Sequence, residues 1–329
     1  MTWLLELLWN TDDQRPRALW RLVLHTITLI AIAWTLSAVT RGLGFVGPGG
    51  LSGGGAVLTA ISVGLGTWLS GRLLDRRELS EFGLRPSRIW LADLCAGLGI
   101  GAALMGGIFV VELRAGWLTI EGYYVGAGPG QSFAVALIDP LVTFVAVAFY
   151  EELFSRGYHL RNLAEGLCFA DRKFMGPGTA LLLATLLSAS VFGLMHAGNA
   201  NASVISTINV GLAGCMLALG LLWTGELALP IGLHLSWNFF QGNVFGFPVS
   251  GNAMGPRVFD VSQAGHPLVT GGAFGPEAGL IGIVAMLAGA GMLALWVRVT
   301  RGELRLWREL ALGSSVEDQQ VGSKVKQSA

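Results

Sequence analysis

Long stretches almost free of charge recur along this chain and restrict the folds that it can adopt. Each covers about 20 residues, the length of α-helix that crosses roughly 30 Å of hydrocarbon. Backbone groups in lipid must be hydrogen-bonded within the spanning segment, so such stretches form helices. Only 13% of the residues are charged, well below the proportion in a soluble domain. The sequence therefore predicts an all-α, polytopic transmembrane bundle of about eight helices, near residues 19–39, 56–74, 90–111, 133–157, 179–199, 203–223, 227–247 and 278–297.

The positions of the Lys and Arg residues test this count independently. If the N-terminus is cytoplasmic and eight spans follow, all but three of the 21 basic residues fall in cytoplasmic segments. The exceptions are Arg41, Arg114 and Arg257. Because cytoplasmic connections are enriched in Lys and Arg, the pattern predicts that both termini are cytoplasmic. Together with the Ala, Gly, Trp and Arg usage, it indicates an integral membrane protein of the prokaryotic cell (inner) membrane.

The predicted spans divide the chain into three parts. Residues 1–18 are predicted to form an interfacial N-terminal helix, residues 19–297 the eight-helix membrane domain, and residues 298–329 a cytoplasmic tail. We interpret residues 72–89 as a solvated loop facing lipid headgroups and residues 246–276 as irregular loop. The net charge of zero indicates no nucleic-acid partner. The three cysteines are far apart, which favours small buried side chains over disulfides.

Two carboxylates and a guanidinium interrupt the fourth apolar stretch. Residues 133–150 are apolar on every face and lead directly into Glu151, Glu152 and Arg156. An ionisable side chain inside a membrane helix costs on the order of 3 kcal/mol and therefore indicates a functional site by default. Glu152 and Arg156 are spaced i,i+4 with the acid first, which favours an ion pair. Because adjacent helical residues point about 100° apart, Glu151 is then the free carboxylate. The alternative is a structural charge cluster at the cytoplasmic end of the helix.

Two further polar pairs lie on apolar helices. His196 and Asn199 are spaced i,i+3 at the end of the fifth stretch, and His234 and Asn238 are spaced i,i+4 on the seventh. Each pair is predicted to share one helix face. A lone histidine in a membrane helix is most often an interhelical hydrogen-bonding group, but three polar faces in one bundle favour a shared site. The other histidines lack such neighbours and are interpreted as structural: His25, His159 and His266.

These groups suit the hydrolysis of an amide in a dry site. The reaction needs a base for water, an acid for the leaving amine and donors for the developing oxyanion. Glu151 could act as the base, His196 could orient the water, and His234 with Asn238 could donate to the oxyanion. The sequence contains no GxSxG, P-loop, CxxC or HExxH motif, which disfavours serine-hydrolase, nucleotide-dependent and zincin chemistry. A divalent metal such as zinc, held by Glu151, His196 and His234, is an open alternative.

Three motifs occur in order on separate predicted helices. EELFSR matches EExxxR, FGLMH matches FxxxH, and HLSWN matches HxxxN. In this the chain resembles the CPBP family of intramembrane proteases, which includes CAAX prenyl endopeptidases and bacteriocin-processing or immunity proteins. The resemblance covers about residues 133–245, the predicted protease core. It implies that Glu151 and His196 activate water. It also implies that Glu152 and Arg156 support the site, and that His234 and Asn238 form the oxyanion hole.

The resemblance also implies a partner, and it leaves the cofactor open. The substrate would be a membrane-associated or lipidated peptide. Because Glu151 and Glu152 lie near the cytoplasmic half of the fourth stretch, their depth predicts a site within the bilayer that opens to the cytoplasm. The reaction needs either no cofactor or a divalent metal. The alternative hypothesis is a non-catalytic membrane protein of the same fold, which binds a partner or lipid as in bacteriocin immunity. A transporter is disfavoured because the sequence shows no internal repeat.

Overall fold

The computed structural model describes residues 8–11, 13–42, 52–169 and 174–312, and in them it forms the predicted all-α membrane bundle. Seven helical segments are long and apolar enough to cross a membrane: Ala18–Gly42, Gly53–Asp75, Arg88–Arg114, Phe133–Leu167, Pro177–Met195, Val204–Thr224 and Leu280–Arg301. The remaining predicted span is shorter, since it consists of an α-helix at Ala228–Phe239 and a π-helical turn at Phe240–Val244.

We number the α-helices of the described segments in chain order, leaving out single turns. They are α1 (Ala18–Gly42), α2 (Gly53–Ser70), α3 (Arg88–Arg114), α4 (Ile138–Glu152), α5 (Arg161–Leu167), α6 (Pro177–Met195), α7 (Val204–Thr224), α8 (Ala228–Phe239) and α9 (Leu280–Arg301). The sequence specifies several of the ends. The side chains of Ser52, Ser87 and Ser203 accept backbone N–H groups at the starts of α2, α3 and α7. Left-handed glycines end α7 and α9.

The fourth span is one continuous helix with a wide turn in its middle. A π-helical segment, Leu153–Leu160, joins α4 to α5 directly after the two glutamates. Helical structure thus continues to Leu167, as the run of helix-forming residues predicts. Such π-helical turns are rare and are found frequently at functional sites. This one places Arg156 within contact of Glu152.

Close packing of α8 against α3 fixes the helix that carries His234. A side chain at Gly232 would collide with the Leu94 carbonyl, and one at Gly97 would collide with the Leu229 carbonyl. Small residues allow two membrane helices to approach at backbone distance, which is how apolar helices associate in the absence of a hydrophobic driving force. The position of α8 is therefore determined by backbone contact.

One face of the bundle collects most of the arginines, and we call it the basic face. The N-terminal residues meet the segment after α2 there, because Arg15 Nη1 donates to the Asp75 carbonyl at 3.2 Å. The α7–α8 connection lies on the same face, since Arg85 pairs with Glu226 at 2.6 Å. The end of α9 joins it through Arg301 and Asp93, at the start of α3. Both ends of the described chain lie on this face, as an even number of crossings requires.

A buried ionic network organises the basic face, and it corrects the prediction of a solvated loop at residues 72–89. Arg21 Nη1 donates to Asp75 Oδ1 at 2.7 Å, and the Tyr158 hydroxyl donates to the other Asp75 oxygen at 2.6 Å. Glu165 accepts from three arginines of three segments. We call these residues the basic-face cluster: Arg15, Arg21, Asp75, Arg77, Tyr158 and Glu165. Asp75 and Arg77 are buried because they pair across the bundle.

The termini differ from their predicted forms where the structure describes them. Residues 1–7 lie outside the described residues, but Trp9–Asn10 (β1) pairs with Arg15–Pro16 (β2), so the predicted helix does not continue to residue 18. The cytoplasmic tail was predicted to begin at residue 298, whereas α9 ends at Arg301. The next residues pack back on the bundle, where the Trp307 N–H donates to the Leu222 carbonyl at 2.7 Å. The tail beyond residue 312 lies outside the described residues.

The opposite face carries a small antiparallel sheet, and we call it the sheet face. Leu118–Val125 (β3) pairs with Arg257–Gln263 (β4), so the stretch 246–276 is not wholly irregular as predicted. The alternating side chains of β4 gave too weak a pattern among glycines and prolines to indicate a strand. The Gly53 N–H donates to Asp139 at 3.0 Å on this face, which joins the starts of α2 and α4.

Candidate active site

The predicted Glu152–Arg156 ion pair is present and also holds a histidine. Arg156 Nη1 donates to Glu152 Oε1 at 2.9 Å, and His234 Nδ1 lies 2.9 Å from the same oxygen. Glu152 and Arg156 are 0% and 1% exposed. A carboxylate paired with arginine can only accept, so Nδ1 of His234 carries the proton. One oxygen atom thus fixes the ring of His234, and its Nε2 is the atom left for other partners.

Arg156 has two further partners that hold it within the bundle. Its Nη2 donates to the Gly214 carbonyl on α7 at 3.2 Å, and its Cζ lies 4.3 Å above the ring centre of Phe192 on α6. A buried charge is tolerated when hydrogen bonds and aromatic faces replace its hydration. The sequence placed Phe192 one turn before His196 but gave no sign of the Gly214 contact, because any residue supplies a carbonyl.

Glu151 has a different environment from its neighbour, as the angle between adjacent helical residues predicts. Its Oε2 lies 3.9 Å from Nε2 of His234, beyond direct hydrogen-bonding distance. This oxygen is buried and has no hydrogen-bond partner among the described residues. Buried polar atoms normally have a partner. A partnerless carboxylate oxygen beside an imidazole nitrogen marks a place for water or for a substrate group.

His196 reaches the site from just beyond the end of its helix, since α6 ends at Met195. The predicted helical face shared with Asn199 therefore does not exist, and Asn199 donates instead to the Ser250 carbonyl at 3.0 Å. Nδ1 of His196 lies 2.8 Å from the Phe192 carbonyl. Because a carbonyl only accepts, Nδ1 carries the proton. This bond holds the ring against the preceding helical turn, and His196 lines the same cavity as Glu151.

Four of the six predicted residues line one cavity of about 610 Å³, within the range of ligand-binding pockets. Glu151, His196, His234 and Asn238 all contribute to its wall. Glu152 and Arg156 lie behind that wall and do not line it. The structure therefore brings together the groups of three separate helices, and divides them into two that support and four that face the cavity.

The sequence reasoning missed the part of the cavity formed by the stretch 249–256 and by Glu277. Glu277 accepts the Ser250 N–H at 2.6 Å and a hydrogen bond from the Gln241 side chain. Burial raises the pKa of Glu277 to about 7, although these hydrogen bonds act in the opposite direction. Its only sequence signal was an acid flanked by Pro276 and Ala278 in an apolar context, which resembles an ordinary loop carboxylate.

The residues do not form a metal site in this arrangement. Within the described residues, no group of three or more His, Cys, Asp and Glu side chains is placed to hold a metal ion. His234 directs Nδ1 at Glu152, which leaves Nε2 able to bind a metal, as in many metal-bound histidines. A catalytic zinc site normally has three protein ligands. Metal dependence stays a prediction, and the chemistry below uses the side chains alone.

The cavity extends toward the sheet face, whereas we expected it to open toward the cytoplasmic, basic face. Its wall includes Asp139 and Pro140 at the start of α4, Asn199 beyond the end of α6, and loop residues such as Ala253. No residue of the basic-face connections lines it. The orientation of the site relative to the cytoplasm stays a prediction, since position along α4 gives the depth of the glutamates but not the direction in which their side chains find space.

Comparison with known proteins agrees with the three motifs. Residues 133–240 match the family model described as type II CAAX prenyl endopeptidase Rce1-like. No curated protein and no solved structure gives a significant match to the chain. The matched residues run from the start of the fourth span to the end of α8, and they contain all six predicted site residues. On this evidence, residues 133–240 form a core of the CPBP/CAAX protease family.

Proposed function

We propose that this protein is an intramembrane endopeptidase in which Glu151 and His196 activate the water that attacks a peptide bond. The observation that carries the proposal is the unpaired Oε2 of Glu151, buried in the wall of a cavity shared with two histidines and an asparagine. The family match supports protease activity at a general level.

The attacking water is held between Glu151 and His196. Glu151 Oε2 takes one proton from the water, while Nε2 of His196 accepts a hydrogen bond from the other and aligns the oxygen. The resulting hydroxide attacks the carbonyl carbon of the scissile bond. A positioned base of this kind typically contributes 10²–10⁴-fold to the rate. The low polarity of the surroundings strengthens each of these interactions.

The oxyanion that forms is held by His234 and Asn238 from α8. The Asn238 amide donates one hydrogen bond, and His234 donates a second from Nε2 when that nitrogen is protonated. Glu152 then balances the imidazolium through Nδ1. When the tetrahedral intermediate collapses, the C–N bond breaks and Glu151 returns its proton to the leaving nitrogen. The products are a carboxylate and an amine.

Glu152 and Arg156 position the site without touching the reacting atoms. Glu152 holds the tautomer and the orientation of His234, and Arg156 fixes Glu152 while contacting Gly214 and Phe192. Such supporting hydrogen bonds keep catalytic groups in the geometry that the reaction needs. The π-helical turn after Glu152 supplies the local geometry that brings Arg156 to it.

The substrate in this proposal is a membrane-associated or lipidated peptide, and the compartment is the inner membrane of a prokaryotic cell. A helix bundle with apolar outer surfaces limits encounters to molecules that share the bilayer. Glu151, His196 and His234 are the residues that would have to hold a metal if one is used. Their arrangement gives no support to such a step.

The test compares variants on a defined probe. The purified protein, reconstituted in lipid vesicles, is incubated with a library of quenched fluorescent peptides that carry an apolar anchor. Glu151→Gln and His196→Ala should each reduce cleavage at least about 100-fold. Glu226→Gln is the matched control, because it removes a carboxylate on the basic face that pairs only with Arg85.

Folded Glu151→Gln protein that cleaves the library at the parental rate would overturn the mechanism. A parent protein that cleaves none of the anchored peptides, with or without added zinc, would favour the non-catalytic alternative. Cleavage that appears only with added zinc would overturn the metal-free mechanism in favour of a zinc-dependent one.

A further inference from the structure

The wall of the cavity gives a direction to substrate entry. From Glu151 to the start of α4 at Ile138 there are 13 residues, or about 20 Å of helix. Thr143, Phe144 and Val147 line the cavity along this length. At its far end the cavity is lined by Asp139, Asn199 and the loop 249–256 on the sheet face, where Asp139 and Ala253 are exposed. An extended chain of about six residues would reach from that rim to Glu151.

The opposite route is closed by packed side chains. Below Glu151 lie Leu153 and Leu160 of the π-helical segment, and Leu181 and Ala184 of α6, each between 0% and 1% exposed. Ser188 also joins α6 to the Ser155 carbonyl at 2.9 Å. Protein interiors of this kind leave no passage for a peptide. The basic face is therefore separated from the catalytic groups.

The charge of the cavity wall selects among substrates. Three carboxyl groups line it, those of Asp139, Glu151 and Glu277, together with His196 and His234. Glu277 carries only part of a negative charge near pH 7, because burial raises its pKa to about 7. Among the described residues, no Lys or Arg lines it. The undescribed stretch 43–51 contains neither residue in its sequence. A cleft lined by one sign of charge attracts the other sign and repels its own.

We propose that peptide enters this cavity from the sheet face, and that the cavity takes neutral or cationic segments and rejects a free C-terminal carboxylate. The placement of the basic residues makes the sheet face extracytoplasmic. The preference for peptide rests on the proposed protease function, whereas the entry face does not. The substrate class is thus an extracytoplasmic segment of a membrane-anchored peptide, cut internally and distinct from a cytoplasmic, carboxylate-ended tail.

Thiol labelling tests the entry face without requiring activity. In a background that lacks Cys95, Cys168 and Cys215, single cysteines replace Ala253 at the rim, Ala213 within the cavity and Glu303 on the basic face. Membrane-impermeant methanethiosulfonates are added to right-side-out vesicles. Ala253→Cys and Ala213→Cys should react there, and Glu303→Cys should react only in inverted vesicles. If Ala213→Cys fails to fold, Val210→Cys, on the same wall, replaces it.

The charge preference has its own readouts. At Ala213→Cys, the trimethylammonium reagent should react roughly tenfold or more faster than the sulfonate reagent, after normalisation to Glu303→Cys. For the parent, an anchored peptide with an amidated C-terminus should be cleaved at least about tenfold faster than the same peptide with a free carboxylate.

The outcomes separate the two proposals. Reaction of Ala213→Cys only from the side that labels Glu303→Cys would overturn entry from the sheet face. Equal rates for the two reagents and the two peptides would overturn the charge preference. Failure of cleavage with the labelling pattern intact would overturn the protease and leave the entry face in place.

Discussion

Among the described residues, the basic-face cluster and the active-site group are both sets of buried charges, and they differ in what their carboxylates contact. In the basic-face cluster, Asp75 and Glu165 accept from arginines and a tyrosine on several segments. In the active-site group, one oxygen of Glu152 is paired in the same way, but Glu151 has no arginine partner among the described residues and lines a cavity. Buried charge alone therefore does not identify a site. A carboxylate without a cationic partner in the wall of a cavity does.

This difference in contacts predicts which variants change the free energy of unfolding and which change the rate of cleavage. Removing one member of a buried ion pair leaves an uncompensated charge and costs about 3–5 kcal/mol. Glu151 contacts the Tyr150 hydroxyl and lies near His234 Nε2, and among the described residues it has no arginine partner, so its replacement by Gln leaves no arginine unpaired. We therefore expect variants of the basic-face cluster to affect folding, and Glu151 variants to affect turnover.

The largest effect is expected for Glu165→Gln. It leaves Arg15, Arg21 and Arg77 without their shared carboxylate, so the free energy of unfolding should fall by about 3–5 kcal/mol. Thermal unfolding in detergent measures this, with Glu151→Gln as the matched control at near-parental stability. Cleavage per folded molecule should be unchanged in Glu165→Gln. Equal destabilisation by the two variants would erase the distinction between the groups.

Asn238→Ala sharpens the comparison within the active site. It removes a donor to the oxyanion, and the loss of one such donor typically lowers kcat by about 10²–10³. Stability should change little, because Asn238 lines the cavity and the structure gives it no hydrogen bond to another described residue. Stopped-assay kinetics on the best library peptide would measure the split between kcat and KM. An effect confined to KM would contradict the oxyanion role.

The smallest effect is expected for Glu277. Its buried carboxyl lines the cavity, as that of Glu151 does, but it also accepts hydrogen bonds, as the carboxylates of the basic-face cluster do. Its pKa is raised from 4.5 to about 7 in the folded protein, so the folded state holds the proton more tightly than the unfolded state. The stabilising contribution is complete below about pH 4.5 and is lost as the pH rises through 7. Between these values the parent should lose up to about 1.4 kcal/mol per pH unit relative to Glu277→Gln. Parallel stability profiles for the two proteins would contradict this.

The sequence predicted the bundle because hydrophobic length is a direct consequence of the bilayer. It indicated the candidate residues that line or support the cavity, because charge and imidazole are rare in apolar helices. It also predicted the Glu152–Arg156 pair, since i,i+4 spacing is local. These inferences depend on one helix at a time and need no knowledge of neighbouring helices.

The remaining features depend on how separate segments meet. The contact of Arg156 with the Gly214 carbonyl and the burial of Asp75 arise from packing, which residue type does not encode. The π-helical turn after Glu152 has no composition signal. Because α6 ends at Met195, His196 and Asn199 do not share a helix face as predicted. The direction of the cavity depends on how the side chains of several helices pack together.

The most direct test of the account is an experimental structure of the parent in lipid, at a resolution that shows ordered water. The account predicts a water molecule bridging Oε2 of Glu151 and Nε2 of His196, with Nε2 of His234 and the Asn238 amide facing the same cavity. Glu151 turned toward lipid, or a packed side chain between it and His196, would contradict the account.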